Sequence, residues 1–92
     1  MNSDFGTYPI EPFEMITKDG CSFCDKAKAL FKEKGIRYAE CNIDDPDLGT
    51  LWRGKLKASG LKTVPQIYEY NKDTQRYDHI GGYTELEKYL ND

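Results

Sequence analysis

Ninety-two residues, 38% hydrophobic and 32% charged, make one soluble domain and leave no room for a second core. A net charge of −3 offers nucleic acid no general basic face, and no apolar run approaches the roughly 20 residues of a membrane helix. Three cysteines argue against a secreted disulfide framework, and residues 1–12 lack the charged start and apolar middle of a signal peptide, so the reducing cytoplasm is expected.

Residues 1–12 carry two prolines, a glycine and no periodicity, which reads as a loose lead-in to a domain spanning 13–92. Phe13–Thr17 is short and mostly apolar, as a central parallel strand is. Over 22–34 the period turns helical. Phe23, Ala27, Leu30 and Phe31 share one face, and Gly35 is placed to cap the end in the left-handed conformation. Residues 36–43 read as a second strand, completing a βαβ unit with parallel strands and a right-handed crossover.

Asp45-Pro46 starts a second helix, a capping carboxylate followed by proline, with Leu48, Leu51, Trp52 and Leu56 as the expected buried stripe. Gly49 and Gly54 weaken that helix by about 1 kcal/mol each relative to alanine. Residues 63–70 and 75–80 follow as two strands of a hairpin, with a turn at 71–74. Gly81-Gly82 breaks the chain before a last helix. Thr84 and Glu87 are its expected capping box, and Leu86 and Leu90 its apolar face.

The chemistry-bearing stretch is Lys18-Asp19-Gly20-Cys21-Ser22-Phe23-Cys24-Asp25, between the first strand and the first helix. A strand feeding a helix through C-x-x-C is the setting of a redox dithiol. The unpaired amides and partial positive charge of a helix N-terminus favour a thiolate at Cys21, and Lys18 adds a mobile cation. Cys24 follows about one turn later, placed to attack a mixed disulfide on Cys21. The competing reading is half a zinc site. Zinc generally takes four ligands, and Cys41 and His79 are the only cysteine and histidine left, so redox chemistry is favoured. Cys41 reads as a small buried hydrophobe and His79 as a surface or turn residue.

Three separated motifs then resemble one family: residues 17–24 with the dithiol, Thr63-Val64-Pro65, and Gly81-Gly82-Tyr83-Thr84. Their order is similar to that of the glutaredoxin family, across about residues 13–91. The resemblance implies an α/β thioredoxin-like fold, a four-stranded mixed sheet in order 2-1-3-4 flanked by three helices. It implies Cys21 and Cys24 as the catalytic pair, with Ser22 and Phe23 between them at the substrate site. It also implies a cis Pro65, which turns the backbone of Val64, beside Thr63, toward a bound peptide. Gly82 then allows close approach of a ligand, and the amides of Tyr83 and Thr84 hold the γ-glutamyl carboxylate of glutathione. Lys18, with Arg53 or Lys62, pairs with the glycyl carboxylate.

The implied activity is glutathione-dependent reduction of protein disulfides and glutathione mixed disulfides by a monomer, with glutathione as co-substrate and no resident metal. The implied partners are disulfide-containing or glutathionylated proteins, ribonucleotide reductase among those usual for the family. Neither a nucleic acid nor a membrane is expected. Ser22 stands where the family commonly has proline, and some members with serine there hold a [2Fe–2S] cluster between two subunits. The alternative is therefore a cluster carrier or sensor in which Cys21 is a metal ligand.

Overall fold

Strand alternation divides the first strand, β1 (Phe13–Thr17), between two cores. Phe13 and Met15 enter one cluster and Ile16 the other. The computed structural model describes residues 10–91, so most of the expected lead-in, residues 1–9, lies outside the described residues. Its last part is tied down: the Pro12 carbonyl accepts the Tyr70 N–H at 2.8 Å, and the Glu11 carbonyl accepts the Tyr77 hydroxyl at 2.8 Å.

β1 runs parallel to β2 (Ala39–Asn42), with Glu14 opposite Ala39 and Thr17 opposite Asn42. It runs antiparallel to β3 (Gln66–Asn71), with Phe13 opposite Glu69. β3 and β4 (Arg76–Gly81) form the hairpin, which completes a four-stranded mixed sheet in the expected order β2-β1-β3-β4. Helices α1 (Ser22–Glu33) and α3 (Tyr83–Asn91) cover one face, where Phe13, Met15, Ala27, Phe31, Ile67 and Leu86 are buried together. Helix α2 (Gly49–Ala58) covers the other, over Ile16, Cys41, Leu56 and Tyr68. The partly buried pair Lys28–Glu40, at 2.8 Å, links α1 to β2, and the fully buried Thr17 donates its hydroxyl to the same carboxylate at 2.6 Å.

Five expectations are corrected. The second strand holds four residues rather than eight, because Ile36 is used by the end of α1. Its N–H donates to the Phe31 carbonyl at 2.9 Å and that of Gly35 (φ +65°) to Lys32 at 3.1 Å, a paired cap that keeps the chain out of the sheet. Phe23 is absent from the buried face of α1, which consists of Cys24, Ala27 and Phe31, with Leu30 half-buried.

In the second helix the Asp45 carboxylate accepts the N–H groups of Asp47 (2.7 Å) and Leu48 (2.9 Å) as a capping residue does. The turn it caps leads into a regular helix only at Gly49, and Leu48 and Leu51 are exposed, leaving Leu56 buried and Trp52 half-buried. Gly49 has a positive reason to be there, since a Cβ would collide with the Ile43 carbonyl. Finally, Gly82 rather than Thr84 caps α3. The Leu86 N–H donates to the Gly82 carbonyl at 3.0 Å, and the Glu85 carboxylate reaches back to the Gly82 N–H at 2.8 Å. The regular part of the third strand likewise starts at Gln66, one residue after Pro65, which has no N–H for a ladder.

Candidate functional site

Cys21 is the residue that caps the start of α1, four positions past the end of β1. Its backbone is extended (φ −104°, ψ 107°), its carbonyl accepts the Asp25 N–H at 3.0 Å, and its Sγ accepts the Cys24 N–H at 3.1 Å. The sulfur thus occupies the place that a serine or aspartate oxygen takes in an ordinary helix cap. A charge on that sulfur is favoured twice, by the hydrogen bond and by the helix dipole. Cys21 keeps 8% of its surface in contact with solvent and Cys24 keeps none, so an incoming molecule meets the first sulfur only. The two are bridged in this structure, with Cα atoms 5.2 Å apart, well inside the ordinary range for a disulfide. This is the oxidised form.

The Val64–Pro65 peptide bond is cis, and the Val64 carbonyl oxygen lies 3.8 Å from Cys21 Sγ. A bridged sulfur has no proton, so that approach is a contact here; a free thiol would have an acceptor in place. Beside it opens a groove of about 330 Å³. Thr63, Val64 and Pro65 line it together with Gly82, Tyr83, Thr84 and Phe23. These seven expected site residues therefore come together, although residues 66–80 separate the second and third motifs along the chain. The size suits a small peptide. Phe23, 53% exposed, faces Tyr83 across 6.2 Å between ring centroids, and Lys26 Nζ stands 5.1 Å over the Phe23 ring. Gly81 has φ +131°, and a Cβ there would meet the Glu85 side chain at 2.8 Å, so only glycine lets Glu85 fold back over this turn.

Four expected residues are not part of the groove lining, among them Lys62, which is exposed in the loop before β3. Ser22 is exposed in the first turn of α1, and Lys18 is exposed just past β1, making none of the ion pairs found among the described residues. Arg53 is engaged elsewhere. Its Nε donates to the Ile43 carbonyl at 2.9 Å and its Nη2 to Asp44 Oδ1 at 2.8 Å. The other oxygen of Asp44 accepts the Asp19 N–H at 2.9 Å. That hydrogen bond first, then Arg53 and the more distant Lys18, hold the Asp44 carboxyl below its usual range.

Sequence reasoning missed two groups. Glu85 lines the groove and satisfies the Gly82 N–H; its spacing, three residues after Gly82, was the available signal. Gln66, 6% exposed, donates through Nε2 to the Thr63 carbonyl (3.0 Å) and hydroxyl (3.2 Å), while its Oε1 meets His79 Nε2 at 2.7 Å. It thereby braces the loop that forms one wall. No sequence pattern marks that role.

The third thiol sits in different surroundings. Cys41 is 3% exposed on the α2 side of the sheet, and burial, helped by the Glu14 charge, pushes its pKa up to about 11. Among the described residues no three His, Cys, Asp or Glu side chains converge on a point that could hold a metal ion, and no helix is long and apolar enough to cross a membrane.

A family model for glutaredoxin matches residues 13–72 of this chain. Glutaredoxin 3 of Escherichia coli is 40% identical over 73 residues, which cover 79% of this chain and 78% of that protein. The hybrid peroxiredoxin hyPrx5 of Haemophilus influenzae is 38% identical over 80 residues, 87% of this chain; the match spans only 30% of that protein. Among solved structures, a buckwheat glutaredoxin–glutathione complex superposes with a TM-score of 0.68 at 28% identity, covering 88% of this chain and 70% of that one.

Proposed function

From the premise that the chain belongs to the glutaredoxin family, and is a thiol–disulfide oxidoreductase, we propose that glutathione supplies its electrons and that protein disulfides and glutathione mixed disulfides are its substrates. The observation that carries this reading is the Cys24 N–H held on Cys21 Sγ, at a helix opening that borders a groove of peptide size. The buckwheat relative binds glutathione, and the groove here has Phe23, Val64 and Pro65 along its walls and the start of α3 at its edge, a setting that suits a tripeptide with a terminal carboxylate. The proposed setting is a monomer in the cytoplasm.

In the proposed cycle the Cys21 thiolate attacks one sulfur of a substrate disulfide. A new S–S bond forms on Cys21 while the old one breaks, and the departing thiolate takes a proton from water. With a protein substrate, Cys24 gives up its proton and attacks Cys21 Sγ, which releases the reduced substrate and closes the bridge found here. Two glutathione molecules then supply two electrons. The first forms a mixed disulfide with Cys21 and frees Cys24, and the second leaves as oxidised glutathione. A glutathionylated substrate needs Cys21 alone, since the glutathionyl group passes to that sulfur directly.

The test is glutathione-coupled turnover of a small glutathione mixed disulfide and of a protein disulfide, by the wild type and by Cys24→Ser. The expected result is retained turnover of the mixed disulfide and loss of the protein disulfide reaction. Absence of both activities in the wild-type protein, with a dithiol shown to be reducible, would overturn the reading.

A further inference from the structure

Arg53, one of the two cations that the sequence offers beside Lys18, is already taken, and the residue that takes it sits against the dithiol turn. Asp44 Oδ1 holds Arg53 Nη2 at 2.8 Å, and Oδ2 accepts the N–H of Asp19, two residues before Cys21. The carboxylate is fixed in orientation: the Asp44 N–H donates to Asn42 Oδ1 at 2.7 Å, and Asn42 Nδ2 donates to Asp19 Oδ1 at 3.0 Å. A ring of hydrogen bonds therefore ties the dithiol turn to the loop after β2, and through Arg53 to α2. It holds two carboxylates, of which that of Asp44 is the one that meets Arg53.

We propose that Asp44 is a specificity-determining residue, which lowers the grip of the dithiol end of the site on a substrate carboxylate by neutralising Arg53 and opposing Lys18. The inference rests on the glutathione reading above. A glycyl carboxylate approaching Lys18 meets a lysine opposed by a fixed anion and an Arg53 already paired, which leaves Lys62 as the other cation the sequence offers. The groups are exposed, 60% for the Arg53 side chain and 32% for that of Asp44, so solvent screens the effect and keeps it modest. It is an effect on affinity, because none of these groups touches the reacting sulfurs.

Asp44→Asn separates charge from support, since the amide oxygen still accepts the Asp19 N–H while the Asp44 charge is gone and that of Asp19 stays. The measurement is KM for glutathione mixed disulfide, beside the same compound with its glycyl carboxylate converted to an amide. The expected result is a KM about two- to fivefold lower for the free carboxylate, the scale of one exposed ion pair, with no change for the amide. The gain shrinks at ~1 M salt, where the screening length is about 3 Å, and disappears when Arg53→Gln is added to Asp44→Asn. An unchanged KM, or a KM altered equally for both compounds, overturns the proposal and leaves Asp44 as a brace for the turn. Lack of wild-type turnover with either compound would instead remove the glutathione reading, and this inference with it.

Discussion

Cys21 and Cys41 carry the same thiol in two opposed environments. Cys21 has a backbone N–H on its sulfur and a helix opening behind it, and it touches solvent. Cys41 lies under α2 with Ile16, Leu56 and Tyr68, where burial holds its pKa near 11. Residue type therefore says little about reactivity here. What decides it is whether the fold supplies dipoles for the charged form or removes water without replacing it.

The comparison breaks first at turnover. Cys21→Ser is expected to lower the rate of mixed-disulfide reduction by about a thousandfold or more, as loss of a nucleophile does, while Cys41→Ala stays within about twofold. A second measurement sharpens it without mutation. In the reduced protein at pH 7, a thiol-alkylating reagent should modify Cys21 about a hundredfold or more faster than Cys41, because the thiolate fraction falls tenfold for each pH unit below the pKa. Mass spectrometry of the digested protein reads both rates.

A third prediction concerns stability. A thiol whose pKa is higher in the folded than in the unfolded chain stabilises the fold below its ordinary pKa and loses that contribution as pH rises through the folded value. Denaturant midpoints should therefore fall between about pH 9 and 11, and Cys41→Ala should flatten that fall at a general cost of about 1 kcal/mol. The smallest effect belongs to the Lys28–Glu40 pair. Its hydrogen bond to Glu40 raises Lys28; in Glu40, burial pushes upward but the bonds from Lys28 and Thr17 outweigh it, so its pKa is lowered. The carboxylate contribution is present above its usual pKa and lost on acidification, and the lysine contribution is lost only in strong alkali. With both side chains a third exposed, Glu40→Gln should cost under about 1 kcal/mol at pH 7 and nothing at pH 2.

The legible parts of this chain were those written in local chemistry. C-x-x-C at a strand–helix junction, Thr63-Val64-Pro65 and Gly81-Gly82 each mark a backbone conformation that few residues permit, and the groove is assembled from them. The βαβ unit and the hairpin were legible as units, and their order within one sheet came from the family resemblance. What the pattern could not settle was competition between partners. Ile36 looks like strand yet is captured by the cap of α1. Leu48 and Leu51 have helical spacing, but the turn capped by Asp45 and the close approach of Gly49 to Ile43 decide which side of α2 meets the sheet. Arg53 has the charge to bind an anion, and a neighbouring carboxylate uses it first. Periodicity reports which residues can face inward, and three-dimensional contact decides which do.

The complete enclosure of Cys24 beside a rim-exposed Cys21 also bears on oxidative injury. Peroxide can reach the leading sulfur and convert it to a sulfenic acid, but the neighbouring thiol is already within bonding reach. Condensation of the two expels water and restores the bridge before a second oxidant can carry the sulfur to an irreversible acid. Peroxide-treated protein should accordingly lose two hydrogens rather than gain oxygen, and Cys24→Ser should reverse that outcome. The same burial that hides one sulfur thus spares the other.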